Sequence, residues 1–170
     1  MGDAWMPLPQ RKRLRLLDYD YSAPGAYFVT ICTRSRRCIL SHIPVGAAAL
    51  GGPPTILSDA GQVVEKYLLS SSRSPGVHID NYVIMPNHVH LLIRIENPCG
   101  PPGAAAPTAS LPRIISGFKR LVNKELGTNI WRRFFHDHII RGDADYREIW
   151  QYIETNPARW REDRLYCAED

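Results

Sequence analysis

Apolar and polar residues alternate along residues 88–96, and this alternation predicts a β-strand with two different faces. Branched aliphatic residues occupy positions 89, 91, 93 and 95. The positions between them carry His88, His90, Arg94 and Glu96, with Leu92 as the exception. Because side chains at positions i and i+2 of a strand point to the same side of a sheet, we expect an apolar face in the core. We expect the opposite face to be polar and to carry both histidines.

Apolar residues at helical spacing predict three helices, over residues 59–69, 111–126 and 143–155. Asp59 and Gln62 give the first helix a start that resembles a capping box. Ser110 is the expected N-cap of the second helix, and Gly127 is its expected end. Asp143 is the expected cap of the third helix.

Segments rich in β-branched and aromatic residues predict further strands, at residues 26–33, 38–40, 77–85 and 134–140. A turn at Pro86 and Asn87 joins the strand at 77–85 to the histidine strand, so the two should form an antiparallel hairpin. Helices separated by such a hairpin predict an α+β protein with a ferredoxin-like fold and a central antiparallel sheet.

The chain of 170 residues predicts a single domain, 1–170, whose composition of 44% apolar and 22% charged residues is ordinary for a globular protein. Residues 1–19 form a basic arm, 44–55 a loop, and the Pro/Ala-rich residues 97–109 a flexible insertion. The four cysteines contain no Cys-x-x-Cys pair, which argues against a zinc ribbon or a thioredoxin-like motif. No apolar run approaches the length of a membrane span, so a cytoplasmic location is expected.

Clustered cations account for the net charge of +4 and indicate a polyanionic partner. Any one cluster is also typical of a solvated surface. Several clusters beside a candidate metal site favour nucleic acid. The cations that we assign to DNA binding lie in the arm and on the second helix: Arg11, Lys12, Arg13, Arg15, Lys119 and Arg120.

The pair His88 and His90 suits a divalent metal ion, because neighbouring imidazoles on one strand can bind the same ion. Two incidental, half-exposed histidines on a solvated sheet face would give the same spacing. A second pair, His136 and His138, lies in the predicted strand 134–140. The two pairs together could form a four-histidine zinc site, or the second pair could support a neighbouring active site.

Tyr152 and Asn156 lie four residues apart on the third predicted helix and therefore share one stripe. This stripe lies at the edge of the apolar face, where a side chain can point into a cleft. A boundary tyrosine that buries its ring and exposes its hydroxyl would occupy the same position. Tyr146, on the apolar face, and Tyr166, near the C-terminus, are poorer candidates for a chemical role.

These motifs together resemble the REP-associated tyrosine transposases of bacteria, which belong to the single-tyrosine HUH transposases. Met-Pro-Asn-His-Val-His at 85–90 combined with Tyr-Ile-Glu-Thr-Asn-Pro at 152–157 is highly specific, whereas either motif alone is less so. The resemblance covers most of residues 10–165. The matching blocks are residues 24–33, 82–92, 117–119, 135–141 and 152–157.

The resemblance implies a ferredoxin-like fold in which a late helix carries the catalytic tyrosine. It implies that His88, His90 and Asn156 bind Mg²⁺ or Mn²⁺, and that Tyr152 attacks a phosphodiester of single-stranded DNA. It also implies that the basic arm helps to recognise a hairpin. His136 and His138 are assigned from the residues themselves as supporting the site, with the lining of a groove as the alternative. Two imidazoles and an amide oxygen would equally suit Mn²⁺, Co²⁺ or Zn²⁺, so the sequence does not fix the metal.

The main hypothesis is a transposase-like endonuclease and strand transferase that acts on hairpin-bearing single-stranded DNA through a 5′-phosphotyrosine. One alternative is a protein that binds DNA or RNA hairpins without cutting them. Another is a metal-dependent hydrolase in which water attacks instead of Tyr152. We expect a monomer or homodimer in the cytoplasm, associated with the nucleoid and not with a membrane.

Overall fold

An antiparallel four-stranded sheet lies at the centre of the protein in a computed structural model that describes residues 20–21, 23–44, 55–96 and 110–167. The basic arm, most of the predicted 44–55 loop and the 97–109 insertion lie outside the described residues. The strands of the sheet are β1 (Gly25–Cys32), β4 (Val77–Met85), β5 (His88–Ile95) and β6 (His136–Ile139). Their order in the sheet is β4-β5-β1-β6.

Helices α1 (Asp59–Ser71) and α2 (Leu111–Leu126) pack on one face of this sheet, and α3 (Asp143–Thr155) packs on the other. The strand and helix order β1-α1-β4-β5-α2-β6, with β1 and β5 paired at the centre, is the ferredoxin-like arrangement. The predicted α+β fold with a central antiparallel sheet is therefore confirmed.

The helix boundaries follow from local capping. Ser58, and not Asp59, is the N-cap of α1, since its side chain accepts a hydrogen bond from the backbone nitrogen of Gly61. Ser110 occupies the N-cap position of α2 as expected, and Gly127 ends that helix in the left-handed conformation, with φ 66°. Gly142 is the N-cap of α3, so Asp143 is its first helical residue.

Residues 38–40, for which the sequence predicts a short strand, do not form one. The structure instead pairs β2 (Ser41–His42) with β3 (Ile56–Leu57) in a separate two-stranded sheet. Leu40 is fully buried in the core, and its backbone nitrogen donates to the carbonyl oxygen of Pro86. The apolar run at 38–40 is therefore explained by burial of Leu40 and not by strand pairing.

The two faces of β5 are both covered, which corrects the expectation of a polar, solvated histidine face. Its odd-numbered residues join the large core beneath α1 and α2. On the opposite face, Leu92 packs with Ile153 of α3 and with Trp160, and all three are buried. His88 and His90 lie on this second face and are themselves 0% and 3% exposed. The exception at Leu92 thus marks the position where α3 covers the sheet.

Candidate active site

The imidazole rings of His88 and His90 meet beneath α3. Their Nε2 atoms lie 3.0 Å apart, as the spacing of two residues on β5 predicts. Burial lowers the pKa of His88 to about 4 and that of His90 well below its usual range. Both rings are therefore neutral at neutral pH, which is the state in which histidine binds a metal.

The side chain of Asn87 determines which nitrogen of His88 carries the proton. Its Nδ2 donates to the backbone oxygen of Leu165 at 2.8 Å, and its Oδ1 faces His88 Nδ1 at 2.8 Å. Because an amide oxygen only accepts, His88 Nδ1 must be the protonated nitrogen. The lone pair of His88 Nε2 is therefore available and directed at His90.

His90 is held by Thr30, the residue directly opposite it on β1. Thr30 Oγ1 lies 2.9 Å from His90 Nδ1. A hydroxyl both donates and accepts, so Thr30 can pair with either neutral tautomer of His90. When Thr30 accepts from Nδ1, both Nε2 lone pairs face the same point and form two ligand positions for a cation.

The carboxylate of Asp163 lies close to this histidine pair, although no motif in the sequence pointed to it. In the described part of the chain, His88, His90 and Asp163 form the group whose ligand atoms all lie within 4.8 Å of one another. Asp163 follows the short 3-10 helix Pro157–Glu162, which extends the chain beyond α3. Two imidazoles and one carboxylate are suitable ligands for Mn²⁺, Zn²⁺ and related ions.

Asn156, the third ligand that the sequence predicts, also reaches this group. Its side chain is 4% exposed, and its Nδ2 donates to Asp163 Oδ2 at 3.1 Å. Its Oδ1 is buried and has no hydrogen-bond partner among the described residues. A buried carbonyl oxygen without a partner is costly, and a metal ion would satisfy it. The residues present therefore fit a divalent cation.

Tyr152 of α3 lies beside the histidine pair. Its ring centroid is 5.3 Å from that of His90 and 5.7 Å from that of Phe28. Tyr152 is 39% exposed and lines an open cavity. Burial, followed by the negative charge of Asp163, raises the pKa of Tyr152, so the phenol keeps its proton at neutral pH.

A cavity of about 590 Å³ is lined by Tyr152 together with His90, Asn156 and Asp163. Arg36 and Arg164 also line it, and neither forms an ion pair with a carboxylate among the described residues. The cavity thus combines a tyrosine, a group of potential metal ligands and free positive charge, which suits a phosphate group.

The competing tyrosines have other contacts. Tyr146 donates a hydrogen bond from its hydroxyl to Asp80 Oδ2 at 2.9 Å and so attaches α3 to β4. Tyr166 packs against Trp160, with ring centroids 5.2 Å apart. Neither residue lines the cavity that contains Tyr152.

The second histidine pair divides between two environments. His136 lines the cavity with Tyr152, as a supporting residue would. His138 instead pairs with Asp145, whose carboxylate oxygen lies 2.9 Å from His138 Nε2. Within the described residues, the potential metal group includes neither histidine, so no four-histidine site is formed there.

The structure describes two of the six cations that the sequence assigns to DNA binding, both of them on α2. Arg11, Lys12, Arg13 and Arg15 lie in the arm, outside the described residues. Lys119 Nζ donates to the backbone oxygens of Arg132 and Phe134, and burial lowers its pKa to about 8. Lys119 thus holds the segment before β6 in place, whereas Arg120 lines a surface cleft together with arginines of that segment. 

The helices of the described segments include none that is long and apolar enough to cross a bilayer.

Cys32 is buried, and burial raises the pKa of its thiol, as expected for a small packing residue. Cys38 and Cys167 are paired as a disulfide, which links the C-terminal segment to the residues after β1. This pairing had no signal in the sequence.

Comparison with known proteins identifies relatives over most of the chain. No protein-family model matches. An uncharacterized protein of Haemophilus influenzae is 31% identical over 174 residues, which cover 92% of this chain and 93% of that protein. The REP-associated tyrosine transposase of Escherichia coli K12 is 24% identical over 139 residues, which cover 82% of this chain and 70% of that protein.

A solved structure of a REP-associated tyrosine transposase bound to a REP hairpin has the same fold. It superposes with a TM-score of 0.59 at 23% identity and covers 79% of this chain and 67% of its own. A putative REP-associated tyrosine transposase of Haemophilus influenzae is 33% identical over 82 residues, which are 45% of this chain and 47% of that protein. With these relatives and this fold, the chain belongs to the REP-associated tyrosine transposase family.

Proposed function

We propose that this protein cleaves and rejoins hairpin-bearing single-stranded DNA through a covalent 5′-phosphotyrosine at Tyr152. The observation that carries the proposal is the placement of Tyr152 against His90, with the ring centroids 5.3 Å apart. The same cavity contains Asp163 and Asn156. A solvent-accessible tyrosine beside metal ligands is the arrangement that covalent phosphoryl transfer requires.

The proposed metal ligands are His88 Nε2, His90 Nε2, a carboxylate oxygen of Asp163 and the Oδ1 atom of Asn156. A bound Mg²⁺ or Mn²⁺ ion would withdraw charge from the phosphate oxygens and hold the phosphodiester in line. Asn87 Oδ1 and Thr30 Oγ1 would orient the two imidazoles, each by accepting a hydrogen bond from the Nδ1 atom of its histidine.

The covalent step is a simple exchange of one phosphate ester for another. The Tyr152 hydroxyl oxygen bonds to phosphorus, and the bond from phosphorus to the O3′ atom of the preceding nucleotide breaks. The phenolic proton passes to solvent in the open cavity, and the released O3′ takes up a proton to become a free hydroxyl. Because the new ester keeps the phosphate activated, a DNA hydroxyl can reverse the step and join strands without ATP.

Positive charge around the cavity supports a DNA substrate. Arg36 and Arg164 line the site itself, and the arm residues Arg11, Lys12, Arg13 and Arg15 would add contacts to a hairpin. The solved relative bound to a REP hairpin makes a hairpin of that type the first substrate to test.

The test is incubation with Mn²⁺ and single-stranded DNA hairpins taken from inverted repeats near this gene, followed by a denaturing protein gel. Wild type should form a covalent adduct, and Tyr152→Phe should form none. Tyr146→Phe is the matched control, since Tyr146 lies on the same helix outside the cavity, and it should retain the adduct.

An adduct that survives Tyr152→Phe would contradict the assignment of the nucleophile. Free 5′-phosphate ends without a protein adduct would identify a hydrolase instead. Tight hairpin binding that is unchanged by Tyr152→Phe, without any cleavage, would identify a binding protein that does no chemistry.

A further inference from the structure

A second cavity adjoins the candidate active site on the side of β6. It has a volume of about 780 Å³, and its lining shares Cys32 and His136 with the active-site cavity. The two cavities are therefore neighbours that share these two lining residues, near the pairing of β1 with β6. A single strand of a polymer that lies in one cavity would need to pass only these residues to reach the other.

The charge in this second cavity has a single sign. Among the described residues, its charged lining consists of Arg34, Arg132 and Arg133, and no described carboxylate lines it. Arg34 follows β1 in a short turn in which Ser35 and Arg36 both adopt positive φ, at 58° and 55°. These conformations are unfavourable for residues other than glycine, and such strain is concentrated at binding sites. The turn directs Arg36 to the first cavity and Arg34 to the second.

Phe134 presents an aromatic ring at the same place. Its side chain is 56% exposed, although the neighbouring Phe135 is buried. The guanidinium carbon of Arg133 lies 5.4 Å from the centre of the Phe134 ring. An exposed ring beside an arginine is the combination that stacks unpaired bases and binds their phosphates.

The segment that carries these residues is held in a fixed position. Lys119 of α2 donates to the backbone oxygens of Arg132 and Phe134, at 3.0 and 3.3 Å. The backbone nitrogen of Arg132 donates to the carbonyl oxygen of Cys32 at 2.9 Å. The exposure of Phe134 thus belongs to an ordered backbone, which reduces the entropy that a ligand must overcome.

We propose that this second cavity is the path of single-stranded DNA beside the active site, with one unpaired base stacked on Phe134 and its phosphates bound by Arg132 and Arg133. Stacking requires a base that is not paired, and this favours a single strand over a duplex. This inference rests on the proposed function for one point, namely that the same strand continues into the cavity that Tyr152 lines.

The test is equilibrium binding of the full chain to a fluorescent single-stranded DNA of mixed sequence, about 16 nucleotides long. A chelator in the buffer prevents metal-dependent cleavage, so binding is measured apart from chemistry. Phe134→Ala should weaken binding about tenfold, whereas Phe134→Trp should bind as wild type does. Leu69→Ala, at a similarly exposed apolar residue on α1, is the control and should change nothing.

The phosphate contacts have their own readout. Arg133→Gln should lower the slope of log affinity against log salt by about 0.7, the value for one phosphate of a single strand. Photocrosslinking of an iodouracil-substituted strand to the wild-type protein should label the peptide that contains residues 132–134. This measurement needs no variant, so it is independent of any folding defect.

Equal affinity of Phe134→Ala and wild type would overturn the proposal. It would also be overturned if Phe134→Ala lost as much affinity for a duplex of the same sequence as for the single strand. Tighter binding of wild type to the matching RNA than to the DNA would overturn it as well. Binding that depends on Phe134 without any covalent adduct on hairpins would contradict only the proposed function. If wild type forms the covalent adduct but Phe134→Ala binds the single strand as tightly as wild type does, only this inference is contradicted.

Discussion

Thr30 on β1 and His90 on β5 face each other across the sheet, and Thr30 Oγ1 lies 2.9 Å from His90 Nδ1. When the Thr30 hydroxyl accepts from His90 Nδ1, this contact holds the proton on Nδ1 and leaves Nε2 free to bind a cation. Both residues are buried, with Thr30 8% and His90 3% exposed.

Replacement of Thr30 should therefore weaken metal binding while leaving both histidines in place. We expect Thr30→Val to raise the Mn²⁺ dissociation constant about tenfold, as loss of a hydrogen bond behind a metal ligand does. Isothermal titration calorimetry measures this. Thr30→Ser keeps the hydroxyl and should bind Mn²⁺ as wild type does. Equal affinities of Thr30→Val and Thr30→Ser would contradict the role given to the hydroxyl.

Asp163 should contribute a negative ligand to the metal. Asp163→Asn keeps the shape of the side chain but removes its charge, so we expect the Mn²⁺ dissociation constant to rise at least about tenfold. Glu162→Gln is the matched control, because Glu162 lines the same cavity but pairs with Arg159. Isothermal titration calorimetry measures the Mn²⁺ dissociation constants of both variants. Similar increases in the two would contradict the assignment of Asp163 as a metal ligand.

The buried histidines should make the metal-free protein sensitive to acid. The pKa of His88 is about 4 in the folded protein, below the value of about 6.5 for an unfolded chain. The unfolded state therefore binds more protons below pH 6.5, and stability falls as the pH drops from about 6.5 to 4. His88 alone accounts for a loss on the order of 3 kcal/mol.

Urea unfolding over this pH range, with a chelator present, measures the effect. His88→Gln should flatten the dependence of the unfolding free energy on pH. His42→Gln, at an exposed histidine of β2, should keep the dependence of wild type. A steep dependence that persists in His88→Gln would show that other groups cause it.

Gly61 of α1 should tolerate no side chain. A Cβ atom there would collide with the backbone oxygen of Leu40, an atom that accepts a hydrogen bond from the Ser58 nitrogen. We expect Gly61→Ala to destabilise the protein by at least about 2 kcal/mol. Gly117 of α2 has open space around it, so Gly117→Ala should stabilise by about 0.5–1 kcal/mol. Thermal unfolding of both variants tests the contrast.

The sequence predicts most of the sheet because its strands have clear patterns. Residues 77–85 were predicted and observed as a strand with the same bounds. For α1 the sequence predicts a start at Asp59, whereas Ser58 is the N-cap. Ser58 Oγ also donates to the carbonyl oxygen of Ile39 at 2.6 Å, and this contact joins two segments that are distant in the sequence. No local pattern in the sequence reveals that contact.

The candidate site was predictable where secondary structure positions the side chain. His88, His90, Tyr152 and Asn156 are placed by strand and helix periodicity, and the structure brings all four to one place. Asp163 follows a 3-10 helix, and its direction depends on hydrogen bonds such as that from the Leu165 nitrogen to Oδ1, at 2.6 Å. Hydrogen bonds of this kind follow no periodic pattern of residues, so the sequence does not predict them.

The cavity beneath α3 brings Tyr152 and His90 together within a single polypeptide. A site of this kind needs no exchange of helices between two subunits. The rate of the proposed cleavage per molecule should therefore stay constant on dilution, and in the proposed reaction each copy would carry one DNA end at a time. Rejoining two different ends would then require either successive turnovers of one copy or two copies held by the DNA itself.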